Sequence, residues 1–209
     1  MTFRLVFFDV DSTLVTIEGI DVLAGGNPEV ARLTEAAMNG DIPLDEVYAK
    51  RLEMIRPTRA QVDALAQQYL DSLTPGARET IDALRDRSVN IHLVTAGIAQ
   101  AIAPLAAHLG VRNVHAVSLR FDDAGNFADF DRRSFLTRPG GKETVVRDVR
   151  ARSHGRAAFV GDGASDLEAK PAVDLFIGFG GVQSRQRVKE NAGVFVEERD
   201  LRAVLKHLL

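Results

Sequence analysis

Apolar residues along the chain fall into two kinds of run. The first kind is short: Leu5 to Phe8, Ala157 to Val160, Leu175 to Ile177 and Val194 to Val196 are continuous, and Val89 to Val94 is interrupted only by Asn90 and His92. Runs of that length read as strands buried on both faces, as in a parallel sheet. The second kind recurs every three or four residues. Val30, Leu33, Ala37 and Met38 form one stripe; Leu44, Val47, Tyr48, Leu52 and Ile55 a second; Val62, Leu65 and Tyr69 a third. Each stripe has a start signal: Asn27-Pro28, Pro43, and Thr58-x-x-Gln61, which has the form of a capping box. Further helices are predicted from Thr74-Pro75 through Ile81 and Leu84, from Ile98 to about Leu109, and from Gly140-Gly141-Lys142 to about Arg150. Val114 to Phe121 and Phe127 to Phe130 flank a Gly-containing turn and predict a hairpin. Strands alternating with helices give an α/β fold, a doubly wound and mainly parallel sheet. The helical stretch after the first strand interrupts that alternation. It predicts a core of residues 1–14 and 74–209, with an α-helical-bundle cap inserted at 15–73.

Composition narrows the class. Of 209 residues, 45% are hydrophobic and 26% charged, enough for a packed core. A net charge of -3 and a pI near 6.0 argue against nucleic-acid binding, which favours a basic face. No apolar run approaches a membrane span, and no basic segment followed by a long apolar stretch marks a signal peptide. Cysteine is absent, which excludes disulfides and thiolate metal sites. The expectation is a cytoplasmic protein, monomer or homodimer, with no membrane partner.

The unusual residues follow the carboxyl ends of predicted strands: Asp9 and Asp11 after the first, Thr95-Ala96-Gly97 after the second, Asp162 and Asp166 after the third. Open α/β sheets bind ligands at those ends. A carboxylate such as Asp9 can attack phosphorus and split a hydrolysis into two easier steps. An anion attacking an anion needs positive charge nearby, and Mg²⁺ with oxygen ligands supplies it. Lys142 adds a point charge, and Thr95 a hydroxyl for phosphate oxygens. Asp11 is then free to protonate the leaving oxygen, which requires a raised pKa. Arg51 lies four and seven residues after Val47 and Leu44, so it points inward with the apolar stripe. An inward guanidinium needs an anion, and a carboxylate fits its fork. The loop Gly178 to Gly181 is expected to bring backbone to the same edge.

Asp9-x-Asp11-x-Thr13, Thr95, Lys142 and Gly161-Asp162-Gly163-x-x-Asp166 together resemble the haloacid dehalogenase superfamily, with its Rossmann-like core. Glu18-Gly19-Ile20-Asp21, Leu73-Thr74-Pro75-Gly76, Gly140-Gly141-Lys142 and Phe176 to Gly181 narrow the resemblance to the phosphoserine phosphatase family, across nearly the whole chain. The resemblance implies Asp9 as nucleophile and Asp11 as general acid/base. It implies Mg²⁺ held by Asp9, the Asp11 carbonyl and Asp162, with Asp166 supporting them. It places Glu18 at a substrate ammonium, Arg51 at its carboxylate and Met38 nearby. Thr95, Ala96, Gly97, Lys142 and Ser165 would surround the phosphate. Two positions depart from the family pattern: Thr95-Ala96 stands where Ser-Gly is usual, and Ser165 where Asn or Thr is common.

The implied reaction is hydrolysis of O-phospho-L-serine. Two other readings share the residues. One transfers the phosphoryl group to an alcohol such as homoserine, or acts on another small phosphoester. The other is a phospho-acceptor regulatory domain, which a strand-end Asp with other acids and a Lys would also suit; a cap that encloses a small substrate argues against it.

Overall fold

The computed structural model describes residues 3–209; Met1 and Thr2, at the start of the predicted core, lie outside the described residues. Strand β1 (Leu5–Phe8) is buried along its whole length. It pairs in parallel with β2 (Asn90–Ile98) on one side and β6 (Ala157–Gly161) on the other. With β3 (Asn113–Val117), β7 (Leu175–Phe179) and β8 (Val194–Val196), the order is β3-β2-β1-β6-β7-β8, all parallel. The chain winds outward through β2 and β3, then returns past β1 to build the other half. That reversal opens a crevice at the carboxyl ends of β1 and β6, where such sheets hold ligands. Phe7, Phe159 and Phe176 stack across β1, β6 and β7 with centroids 6.3 and 6.1 Å apart. Burial of each such side chain contributes about 1.5–3 kcal/mol, which steadies the strands whose ends frame the crevice.

Helices α1 (Gly19–Leu23), α2 (Pro28–Asn39), α3 (Leu44–Ile55) and α4 (Arg59–Asp71) fill the segment after β1. Their starts agree with the sequence signals. The Asn27 side chain accepts from Glu29 and Val30 N–H, and Thr58 with Gln61 forms the capping box. The segment's one β pairing, among the described residues, is an isolated bridge from Val15 to Leu73, where the chain leaves and rejoins the sheet domain. Helix α4 packs along α6 (Ala99–Leu109). Helices α5 (Ala77–Asp86), α7 (Gly141–Ala151), α8 (Ala164–Leu167), α9 (Gln186–Asn191) and α10 (Leu205–Leu208) complete the fold. Among the described residues, no helix is long and apolar enough to cross a membrane.

Two strand expectations are corrected. The predicted hairpin strand 114–121 is split at Ser118. Its first half is β3, which extends the main sheet to six strands; its second, β4 (Leu119–Phe121), pairs antiparallel with β5 (Phe127–Phe130). Val114 to Phe121 mixes apolar and polar residues on both sides of Ser118, and that pattern carries no sign of the change. Strand β2 also continues through Thr95-Ala96-Gly97 instead of ending before it. Its pairing with β3 shifts register between Val94 and Ile98, and such irregularities re-aim side chains at sheet edges.

Candidate active site

Asp9 directly follows β1, and its N–H donates to the Val160 carbonyl at 3.0 Å, fixing it against β6. The chain then winds tightly: the N–H groups of Thr13, Leu14 and Val15 converge on the Val10 carbonyl at 3.2, 2.9 and 3.1 Å. Ser12 sits in the left-handed region at φ 51°, a conformation a non-glycine residue keeps only where its surroundings demand it. Here they do: its hydroxyl donates to Glu18 Oε1 at 2.6 Å. The Thr13 hydroxyl donates to Asp162 Oδ1 at 3.1 Å, so the turn after β1 is tied to the turn after β6.

Lys142, in the first turn of α7, is buried and its ammonium stands between two acids. Nζ lies 2.9 Å from Asp9 Oδ1 and 2.5 Å from Asp166 Oδ1. The Asp9 contact is out of line for a hydrogen bond, and Asp9 Oδ1 has no other donor. Asp166 Oδ2 accepts from the Gly163 N–H at 2.9 Å, so this carboxylate both opens α8 and aims the ammonium. Asp9, Asp162 and Asp166 each bring a carboxylate oxygen within 4.8 Å of the others, all buried. Such an all-oxygen group fits a hard divalent cation. The Asp11 carboxyl stands apart from these three; its Oδ1 accepts from Gly19 N–H at 2.7 Å and from the Tyr69 hydroxyl at 2.8 Å.

Burial and mutual repulsion dominate the electrostatics. Desolvation, then the charge of Asp9, lifts Asp11 to about 6 and Asp162 to about 7. The same causes push Asp166 well above the ordinary carboxylate range. Glu18 is raised likewise by burial and by Asp11 and Asp162. Burial alone would lower Lys142, but Asp166 and Asp9 outweigh it and hold the ammonium above its ordinary value.

The four helices close over this group and leave a cavity of about 60 Å³. Asp9, Asp11, Lys142 and the Thr95-Ala96-Gly97 stretch form its floor; Glu18, Met38 and Arg51 form its roof, with Ser165 at the side. Thr95 Oγ1 accepts from Gly97 N–H at 2.9 Å. Arg51 is only 6% exposed. Its Nη1 donates to Thr34 Oγ1 at 3.2 Å, while Nε has no partner among the described residues. Gly163 faces Met38, whose Cε a methyl group on that glycine would meet at 2.6 Å. Thus every catalytic and substrate-contact residue expected from the sequence borders one cavity, and Asp162 and Asp166 lie beside it.

The glycine loop does not. Gly178 and Gly180 are packed against Phe195, and Gly181 against Phe179 and the Glu198 carbonyl. Those glycines admit close packing between β7 and β8 rather than a ligand. The residue that does reach the acid cluster from this side is Arg185, four positions beyond the loop, which no sequence signal marks. It is 5% exposed. Its guanidinium reaches Asp162 Oδ2 at 3.3 Å, Glu35 Oε1 at 3.1 Å and Asn39 Oδ1 at 3.2 Å, joining the acid cluster to α2. Two tyrosines that the sequence shows only as members of apolar stripes also reach the site: Tyr48 donates to the Ala96 carbonyl at 2.9 Å, and Tyr69 to Asp11.

The chain is similar to known proteins over most of its length. Residues 6–169 match the family model of haloacid dehalogenase-like hydrolases. The chain is 39% identical over 199 residues to a phosphoserine phosphatase of Mus musculus, covering 92% of this chain and 88% of that one. A phosphoserine phosphatase solved with substrate bound superposes over the full length of both chains with a TM-score of 0.88 at 27% identity. Another, solved as a phospho-aspartyl intermediate analogue, does so with a TM-score of 0.87 at 28% identity. From its acid-ended central strand to its buried lysine, the chain belongs to the haloacid dehalogenase-like hydrolases and, within them, to the phosphoserine phosphatase family.

Proposed function

We propose that the protein hydrolyses O-phospho-L-serine to L-serine and phosphate through an aspartyl-phosphate on Asp9. The observation that carries this reading is the shared cavity: Arg51 and Glu18 border the same space as Asp9, Asp11 and Lys142. One ligand with a phosphate, an ammonium and a carboxylate then meets a complementary group at each end.

The chemistry runs in two halves. Asp9 attacks phosphorus; its oxygen–phosphorus bond forms as the bond to the seryl oxygen breaks, and Asp11 gives that oxygen its proton. Serine leaves. Water then attacks the same phosphorus, the bond to Asp9 breaks, and the proton released by the water returns to Asp11. Thr95 offers its hydroxyl, and the neighbouring backbone its N–H groups, to the phosphate oxygens. Lys142, held by Asp166, offsets the charge of Asp9 and of the incoming phosphate. Asp9, Asp162 and the Asp11 carbonyl would hold Mg²⁺, which when bound supplies further positive charge at the phosphate. Residues 15–73 act as the cap that excludes water, on a core of residues 3–14 and 74–209.

A phosphate-release screen with Mg²⁺ across phosphoserine, phosphothreonine, sugar phosphates and nucleotides tests the reading. Phosphoserine should give the highest kcat/KM. A sugar phosphate or nucleotide turned over more efficiently would overturn it.

A further inference from the structure

The chain contains only two tyrosines, Tyr48 and Tyr69. Both hydroxyls reach down from the helices of the cap onto the floor of the cavity. Tyr48 meets a backbone carbonyl, that of Ala96. Tyr69 meets a carboxylate with a chemical task, that of Asp11. Tyr69 is 1% exposed and comes from the last turns of α4, whereas Asp11 lies 58 residues earlier in the turn after β1.

The approach of that hydroxyl is built into the backbone. A methyl group on Gly19 would lie 2.0 Å from the Tyr69 oxygen and 2.8 Å from its ring carbon Cζ. The place is kept open by a glycine at the first position of α1, where nothing about φ requires one. The same glycine donates its N–H to the same oxygen, Asp11 Oδ1. Two donors on Oδ1 leave that oxygen no use for a proton of its own. A proton on Asp11 therefore belongs on Oδ2. That second oxygen faces Gly97, where a methyl group would come within 3.0 Å of it, and Gly97 borders the cavity.

We propose that Tyr69 is a positioning residue for the acid/base step: with the Gly19 N–H it anchors Asp11 Oδ1, so that Oδ2 carries the proton and presents it to the leaving oxygen. The inference rests on the phosphatase reading above. It adds to that reading a hydroxyl supplied by the cap, so that the acid is in register only when α4 lies against the turn after β1.

The test compares leaving groups. Serine leaves as an alkoxide and needs a proton as the P–O bond breaks; acetyl phosphate releases acetate and needs none. It is also small enough for the cavity. Because kcat/KM reports events up to departure of the leaving group, it isolates the acid step. Tyr69→Phe should lower kcat/KM for phosphoserine by roughly tenfold, the worth of one hydrogen bond to a charged group, and that for acetyl phosphate by less than about twofold. Gly19→Ala reaches the same bond from the other side, by displacing the hydroxyl while Tyr69 stays in place, and should show the same bias if Tyr69→Phe fails to fold. Tyr48→Phe removes the other hydroxyl bridge, which touches no reacting group, and should lower kcat/KM for both substrates in parallel. Parallel losses in Tyr69→Phe, or a leaving-group bias in Tyr48→Phe, would overturn the assignment while leaving the phosphatase reading intact. A parent protein inactive on both substrates would sink both together.

Discussion

Arg51 gives the sharpest test of substrate identity. The side chain is almost fully enclosed, yet its guanidinium has one hydrogen-bond partner at 3.2 Å, the hydroxyl of Thr34, and an unpartnered Nε. Burial lowers its pKa, and Tyr48, Glu18, Asp21 and Asp11 only partly restore it. A buried cation with spare donors has an incentive to bind an anion, and a carboxylate accepts from the planar fork at two points. Truncation to alanine removes that pair from a closed space. Loss of one partner of an enclosed, charge-assisted pair costs about 2–4 kcal/mol, which is roughly 30- to 1,000-fold in kcat/KM. The free protein should not suffer in the same measure, since Arg51→Ala also removes an incompletely paired buried charge; its urea midpoint should move little. The assay is phosphate release from phosphoserine and from phosphoethanolamine, which keeps the phosphate and the ammonium but lacks the carboxylate. Arg51→Ala should lose the full factor on phosphoserine and less than about threefold on phosphoethanolamine. Equal losses on both would refute the assignment of Arg51 to the carboxylate.

Two further outcomes arise from burial. Mg²⁺ at one hundred times its Kd should stabilise the protein by about 2.7 kcal/mol, a rise of about 6 °C for a chain of this length. Asp162→Asn should abolish that rise, and a full shift in the variant would remove Asp162 from the metal site. His92 packs on Phe7 and lies 3.1 Å from a ring nitrogen of His115. Burial, aided by His115, drives it down to about 4. Its folded pKa lies below the unfolded value of 6.5, so its contribution is whole above pH 6.5 and is lost as pH falls toward 4. Relative to His92→Phe, the parent should lose about 2 kcal/mol between pH 7.5 and pH 5. No change in that difference, measured by urea unfolding at the two pH values, would mean that His92 is not buried neutral.

How much of the fold and the site is legible in the sequence depends on the range of the interactions. Asp9 stands out because a fully apolar strand ends in acid, a contrast visible within five residues. The capping box at Thr58 and the Asn27 cap are readable because caps are made by neighbours in sequence. Lys142 is readable because it sits beside two glycines at a helix start. Arg185 leaves no such trace: its partner Glu35 is 150 residues away, and an arginine after Gln183 and Ser184 reads as surface. Tyr69 is hidden differently. Its spacing from Val62 and Leu65 is that of a core residue, and its ring is indeed core; only its hydroxyl is not. The break at Ser118 is invisible because both halves of the run, Val-His-Ala-Val and Leu-Arg-Phe, alternate alike, and choosing between one sheet and two depends on what lies opposite.

The proposal that Asp9 takes the phosphoryl group is the claim on which the rest stands. The direct measurement is the initial rate of phosphate release from phosphoserine by Asp9→Asn, with Mg²⁺ present and folding verified. Loss of roughly three orders of magnitude or more is expected for removal of a nucleophile. Release at near the parent rate would contradict the mechanism.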